Sequence, residues 1–411
     1  MKKMFFGKHI FLLLLMLSFI TVSAQKSFIS VKGTDMITPD GKPYVMKGIN
    51  LGNWLNPEGY MFLFDGASSY RLIDQALKEM VGDDVVNRFW KEFQDNYITE
   101  EDIHYIRQTG MNSIRLPFHY KLFTSNDYMG SNNPNRGFEL IDRAVKWCKK
   151  EGIHIVLDMH DAPGGQTGDN IDDSYGYPWL LVNENNQLQF VEIWTKIAKR
   201  YANEPTIIGY DLLNEPIATY FDNKEELNKL LPPLYERVTK EIRKVDKNHI
   251  IIVGGSQWNG NFTIFDNLKY DKNIMLTSHI YWCDTTKQTL KPFIDARERL
   301  NAPIYMGETG ENTYAWIKSY RKLMDENNIG WHFWPFKRLD SERCIVAVPK
   351  PANWDKLVEF TKQDRNGFDK IRKNRPNQAE VKAILDDYIE KMKFKNCVKN
   401  TGYVEALGLQ P

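Results

Sequence analysis

The sequence predicts an α/β fold, a single (β/α)8 barrel of the TIM type, on three observations: eight short apolar runs, amphipathic helical stretches between many of them, and no glycine-rich phosphate loop after the first run. The runs occupy residues 44–50, 113–116, 153–159, 207–213, 250–253, 274–277, 303–306 and 329–334. Near-continuous apolar runs are the mark of parallel strands buried on both faces, with helices outside and a packed barrel interior within. Phe138, Ile141, Val145 and Cys148 follow helical spacing, as do Phe190, Ile193, Trp194, Ile197, Ala198 and Tyr201, so each set lays one apolar stripe on the sheet. Thr99 with Asp102 reads as a helix start and Gly110 as a stop, framing a helix directly before the second strand. Beyond the eighth run, residues 335–376 read as a long irregular insertion. Val381, Ile384, Leu385, Tyr388, Ile389 and Met392 then form a closing amphipathic helix.

The 411 residues are 42% hydrophobic and 26% charged, enough to bury a large core and far from the composition of a disordered chain. Lys2, Lys3 and Lys8 precede an apolar stretch over residues 10–20, and Val22-Ser23-Ala24 offers a small-residue cleavage site. Residues 1–24 therefore read as a removed export signal, because the apolar run falls short of the ~20 residues a bilayer span needs. The barrel domain is expected over 25–395, with 396–411 as a C-terminal tail. The mature chain is expected to be secreted or periplasmic, monomeric and without a membrane span. Removing the signal takes three of the 54 basic residues and none of the 53 acidic ones. That near-neutral balance offers no electrostatic footprint for nucleic acid. The four cysteines, Cys148, Cys283, Cys344 and Cys397, lack CxxC spacing, so neither a zinc ribbon nor a redox motif is indicated. Aromatic residues make up 13% of the chain, with 11 Trp and 20 Tyr, and flat rings with polar edges suit sugar faces.

Polar groups gather where the runs end: Arg115, His160, Asn214 with Glu215, His279 with Tyr281, Glu308 and Trp334. In a (β/α)8 barrel that end is the active face. Buried charged and amide groups need partners or a ligand, so their repetition at one edge points to a common cleft. Glu215 and Glu308 end the fourth and seventh runs and can lean toward each other across a sugar. Hydrolysis of a glycosidic bond with retention needs one carboxylic acid to protonate the leaving oxygen and one carboxylate to attack, roughly 5 Å apart. His154, Asp158 and His160 share a strand face, but the spacing of a metal site is absent, so neither a metal nor another cofactor is expected. Trp54, Trp258, Trp282 and Trp354 are each open to two readings, sugar stacking or core packing.

On these residues the chain resembles glycoside hydrolase family 5, a cellulase-like (β/α)8 family with a retaining mechanism. The most specific segment is IIGYDLLNEP at 207–216, where the resemblance implies Glu215 as acid/base and Asn214 as the holder of a sugar 2-hydroxyl. PIYMGETG at 303–310 resembles the nucleophile strand and implies Glu308 as the attacking carboxylate; Thr309 stands where many relatives carry an aromatic residue. Arg115 in IRLP resembles the arginine beside the nucleophile, and His279 with Tyr281 the His-x-Tyr pair beside both carboxylates. NLGNWLNPE at 50–58 and HDAPGGQTG at 160–168 resemble the exo-β-1,3-glucanase-like branch, which implies Glu58 and His160 as sugar contacts and Trp334 as the platform under the sugar. A guanidinium next to Glu308 would keep it ionised at neutral pH, while a less polar setting would hold Glu215 protonated.

The function implied is a retaining β-glycoside hydrolase of cellulase or endoglucanase type, with a β-glucan polysaccharide or oligosaccharide as partner. An exo-β-1,3-glucanase or β-glucosidase type of action stays open beside it. From another class, a catalytically inactive carbohydrate-binding barrel would use the same cleft, and metal-assisted hydrolysis is a third reading.

Overall fold

The computed structural model describes residues 28–411, and the export segment expected at 1–24 lies outside the described residues. Eight parallel strands close into a barrel in chain order: β1 (Lys47–Asn50), β2 (Ser113–His119), β3 (His154–Asp161), β4 (Ile207–Asp211), β5 (Ile250–Gly254), β6 (Ile274–His279), β7 (Ile304–Glu308) and β8 (Gly330–Phe333). β8 closes the ring on β1 with Trp331 opposite Lys47. All eight apolar runs are barrel strands, with ends displaced by a few residues. β3, β6 and β7 run further than expected and end on polar side chains, Asp161, His279 and Glu308, where apolar character is no guide to strand length; β2 adds Pro117, Phe118 and His119.

Alternation along each strand divides two cores. Ile114, Leu116 and Phe118 of β2 and Ile155, Leu157 and Met159 of β3 face the surrounding helices. Val156, Ile208, Ile250, Ile252, Met275 and Tyr305 fill the barrel and meet Ile29, Met36 and Met46. The two short strands Ser30–Lys32 and Asp35–Ile37 form an antiparallel hairpin, and its Met36 plugs the end away from the polar cluster. The outer helices follow the expected stripes. Helix Glu184–Tyr201 buries Phe190, Ile193, Trp194, Ile197, Ala198 and Tyr201, and helix Arg136–Glu151 buries Ile141 and Cys148. Helix Glu100–Gln108 opens on a reciprocal capping box between Thr99 and Asp102.

The segment after β8 corrects the expectation of an irregular insertion. Lys337–Leu339 and Val346–Val348 pair in parallel, Val346–Val348 pairs in turn with Val398–Lys399, and helices Asp355–Lys362 and Phe368–Asn374 follow. These strands are three residues long or shorter and made partly by chain ends far apart in sequence, so no local periodicity announces them. Residues 396–411, read as a tail, carry helix Thr401–Ala406, whose Tyr403 and Val404 are fully buried with Leu407 in the main core. No helix among the described residues is long and apolar enough to cross a membrane, and the four cysteines are free thiols.

Candidate active site

The floor of the barrel mouth is built around Arg115, a fully buried side chain on β2. Its guanidinium donates to Asp211 on β4 at 2.9 Å, to Asn214 at 2.9 Å, to Asn50 on β1 at 3.2 Å and to Glu308 on β7 at 2.5 Å, and pairs with Asp158 on β3 at 2.9 Å. Five donors on a rigid planar fork suit such a hub, and a lysine could not replace it. Burial lifts the carboxyls of Asp158 and Asp211 to about 7 even against Arg115.

Above this hub stand the two glutamates that end the fourth and seventh runs. A carboxylate oxygen of Glu215 and one of Glu308 lie within 4.8 Å, with a ring nitrogen of His279 in the same radius. Glu308 accepts from Arg115 on Oε1 and from the Tyr281 hydroxyl on Oε2 at 2.9 Å. Glu215 shares a 2.8 Å hydrogen bond with Nδ1 of His279. His160, at the end of β3, bonds Asp158 through Nδ1 at 2.8 Å, which leaves Nε2 to accept from the Asn214 amide at 3.3 Å.

The electrostatics separate the two carboxyls. Burial raises Glu215 well above the ordinary carboxylic range and the charge of Glu308 adds to it, against Arg115. Burial also raises Glu308, but Arg115, His160 and the Tyr281 hydroxyl pull it back. Both carboxyls are raised, Glu215 the further of the two. The guanidinium expected to keep Glu308 ionised does favour its charged form, but loss of hydration outweighs it for a carboxylate this deep, and the carboxyl is raised. Burial keeps His160 neutral, its pKa lowered to about 3, and pushes His279 well below its usual value.

Backbone geometry at Glu215 is unusual. Glu215 and Ile217 both sit at positive φ, +43° and +62°, a region that costs non-glycine residues of order 1–3 kcal/mol. The turn is clamped by the loop after β3: Gln166 Nε2 donates to the Asn214 carbonyl at 2.8 Å, Thr167 Oγ1 donates to the Glu215 carbonyl at 2.7 Å, and Ile217 N donates to the Gln166 carbonyl at 2.9 Å. Gln166 is itself fully buried. The strain is thus held by a neighbouring loop rather than by the NEP turn alone.

A cavity of about 540 Å3 opens over the glutamates, lined among others by Glu58, His160, Glu215, His279, Tyr281, Glu308 and Trp334. Trp334 stacks on His160 at 5.5 Å and 11°, donates to the Tyr60 hydroxyl at 2.6 Å, and rests on Gly52, where a Cβ would stand 2.6 Å from its ring. Glu58 has an unpartnered buried Oε1, and burial together with Glu308 and Glu311 raises its carboxyl. Asp158, His160 and Glu308 bring ligand atoms within 4.8 Å of one another, as do Glu215, His279 and Glu308. A cation in the first set would stand against the guanidinium that already balances those charges, and Glu308 belongs to both sets, so the donors present serve Arg115 better than a metal.

Residues 76–339 match the cellulase model of glycosyl hydrolase family 5. The chain belongs to glycosyl hydrolase family 5. It is a glycoside hydrolase, and relatives in this family match most of its length. It is 27% identical to endoglucanase C of Acetivibrio thermocellus, over 72% of this chain and 92% of the relative. It is 26% identical to a β-xylosidase of Phanerodontia chrysosporium, over 78% of this chain and 72% of the relative. A β-glucanase structure from Saccharophagus degradans shares the fold with a TM-score of 0.52 at 19% identity, covering 89% of this chain and 94% of that one.

Seven of the nine site residues expected from sequence line the cavity of this family 5 barrel, and the other two, Arg115 and Asn214, lie beneath its floor. Of the four tryptophans open to two readings, Trp258 and Trp282 line the cavity. Trp54 and Trp354 are core residues whose indoles bond the carbonyls of Gln94 and Phe62. Sequence reasoning missed Tyr60, Asp169, Asn170, Gln257 and Glu311, which also line it. Only Glu311 carried a signal, as a further acid three residues beyond Glu308.

Proposed function

We propose that this hydrolase cleaves β-linked glucan with retention, Glu215 acting as acid/base and Glu308 as nucleophile. One observation carries the reading. The two carboxyls approach within 4.8 Å, the short separation of a double displacement (about 5–5.5 Å) rather than the 6.5–9.5 Å that leaves room for an attacking water. Their asymmetry supports the roles. Glu308 is held by Arg115 and Tyr281 with its charge toward the cavity, while Glu215 has burial and a neighbouring anion to keep its proton.

Glu308 attacks the anomeric carbon as Glu215 passes its proton to the glycosidic oxygen, so the leaving sugar departs as an alcohol and a glycosyl ester forms on Glu308. Glu215, now a carboxylate, takes a proton from water as that water attacks the same carbon and frees Glu308. Trp334 offers the sugar a flat apolar face. Support for the substrate comes from relatives named endoglucanase C and probable glucan endo-1,6-β-glucosidase B, and from the acidic and amide groups of the cavity wall, Glu58, Asp169, Asn170 and Glu311, which can receive sugar hydroxyls.

Incubation with a 2-deoxy-2-fluoro-β-glucosyl fluoride is expected to leave a covalent label on the peptide containing Glu308, and Glu308→Gln to abolish turnover of aryl β-glucosides and soluble β-glucan. A product of inverted configuration, or a label on another residue, would overturn the mechanism. Wild-type enzyme that binds β-glucan without turnover would favour the inactive binding barrel.

A further inference from the structure

The loop after β3 has two sides. Its short 3-10 turn Asn170–Asp172 gives Asn170 and Ile171 to the catalytic cavity, whereas Asp172 and the following residues line a second cavity of about 330 Å3. Two glycines make room for it. Gly164 and Gly165 sit at φ +81° and +80°, and a Cβ on Gly165 would stand 2.2 Å from Ser174 Cβ.

The rim of this second cavity is aromatic and open. Tyr175 is 77% exposed and Trp179 45% exposed, in a protein that buries most of its large side chains. Neither ring is loose: the Arg71 guanidinium lies 4.7 Å from the centre of Tyr175, and Trp179 packs on Tyr177 at 4.8 Å. The depth of the cavity is polar and incompletely paired. Asp173, with its side chain 1% exposed, has Oδ1 bonded to Ser69 Oγ at 2.6 Å and to the Arg71 amide at 2.9 Å. Its Oδ2 has no hydrogen bond and only looser approaches, His119 at 3.6 Å and Lys121 at 3.8 Å. Ser174 Oγ and Arg71 Nε are buried and unpartnered as well. Buried polar atoms without partners are few in native proteins, and their gathering beside one cavity points to a ligand that completes them.

The chemistry of that ligand follows from what surrounds it. Lys121 and Arg71 are matched by Asp172 and Asp173 in the same lining, so the cavity has no excess charge to reward an ion. Exposed rigid rings next to donors and acceptors suit a neutral ring with an apolar face and hydroxyl edges. The volume lies at the low end of small-ligand sites, room for a short sugar segment. We propose that this cavity is a second carbohydrate site, holding a pyranose unit of the β-glucan on the other side of the Asn170–Asp172 turn from the catalytic cavity. The proposal rests on the β-glucan reading.

The double variant Y175A/W179A removes two exposed rings and should keep the wild-type melting temperature. On an aryl β-glucoside, which fills only the catalytic cavity, its kcat/KM is expected within twofold of wild type. On soluble β-glucan its KM should rise about five- to tenfold, and its retardation in gels containing that polymer should fall. Unchanged KM and retardation on the polymer would overturn the second site and leave the β-glucan reading intact. Equal losses on both substrates would also overturn it, by placing the rings in the catalytic cavity's own support. Wild-type enzyme active on the aryl glucoside but inert toward β-glucan would instead bring down the substrate reading, visible without any variant, and this site as a glucan site with it.

Discussion

Tyr281 and Arg115 divide the work on Glu308, and the division can be measured. The Tyr281 hydroxyl gives Glu308 one charge-assisted hydrogen bond, a kind worth about 1.5–3 kcal/mol. Tyr281→Phe is therefore expected to lower kcat by about tenfold to a hundredfold on aryl β-glucosides. The same change has a pH signature. In the proposed mechanism Glu308 works as an anion, so activity rises as pH climbs through its pKa, and removing a donor that stabilises the anion moves the acid limb of kcat/KM to higher pH. The basic limb belongs to the proton on Glu215. Burial and the charge of Glu308 raise that carboxyl, so activity should persist well above the ordinary carboxylic pKa of about 4.3, and Glu215→Gln should remove the basic limb together with most of the activity. A basic limb that survives Glu215→Gln would assign it to another group. Arg115 was legible from IRLP as a neighbour of the nucleophile, but its contacts with Asn50, Asp158, Asp211 and Asn214 were not, since they join strands β1, β3 and β4 across the ring.

Elements far apart in sequence hold the catalytic geometry. Gln166, in the loop after β3, accepts from Ala162 N at 3.0 Å and donates to the His160 carbonyl at 2.7 Å and to the Asn214 carbonyl at 2.8 Å. Gln166→Ala leaves those carbonyls unpaired and frees the positive-φ turn at Glu215. The expected result is a loss of about 1–3 kcal/mol in urea unfolding for each buried group left unpaired and a fall in kcat larger than any rise in KM. A change in KM alone would mean the turn holds itself. Trp334 depends on the segment after β8 in a similar way. Arg338 pairs with Glu311 at 2.5 Å and lies 4.7 Å over the ring of Tyr60, whose hydroxyl accepts from the Trp334 indole. Arg338→Met should loosen that platform and raise KM severalfold with a smaller effect on kcat. Gln166 stood inside the HDAPGGQTG segment without showing its role, and Arg338 carried no motif, because a loop's role lies in which distant backbone it reaches.

At the scale of the whole molecule, the C-terminal residues close the structure. Tyr403, Val404 and Leu407 are buried in the main core, the Asn400 amide donates to the carbonyls of Ser341 and Cys344 at 2.9 Å, and Val398–Lys399 completes the small sheet after β8. Three large apolar side chains at about 1.5–3 kcal/mol each approach the total stability of about 5–15 kcal/mol typical of a domain. Deleting residues 398–411 is thus expected to abolish or greatly broaden cooperative thermal unfolding; a truncated chain that melts as wild type would show the segment to be dispensable. The sequence by itself determined the eight strands, several outer helices and the place of the two glutamates, because burial on both faces leaves a continuous apolar signature and polar residues stand where the runs stop. Tertiary structure alone decided which tryptophans line the cavity and which face the core, how the loop after β3 separates two cavities, and how the Tyr403 hydroxyl reaches the Trp334 carbonyl at 3.4 Å. Those outcomes depend on contacts between segments tens to hundreds of residues apart, and no local pattern of size, charge or period encodes which distant surface a side chain will meet.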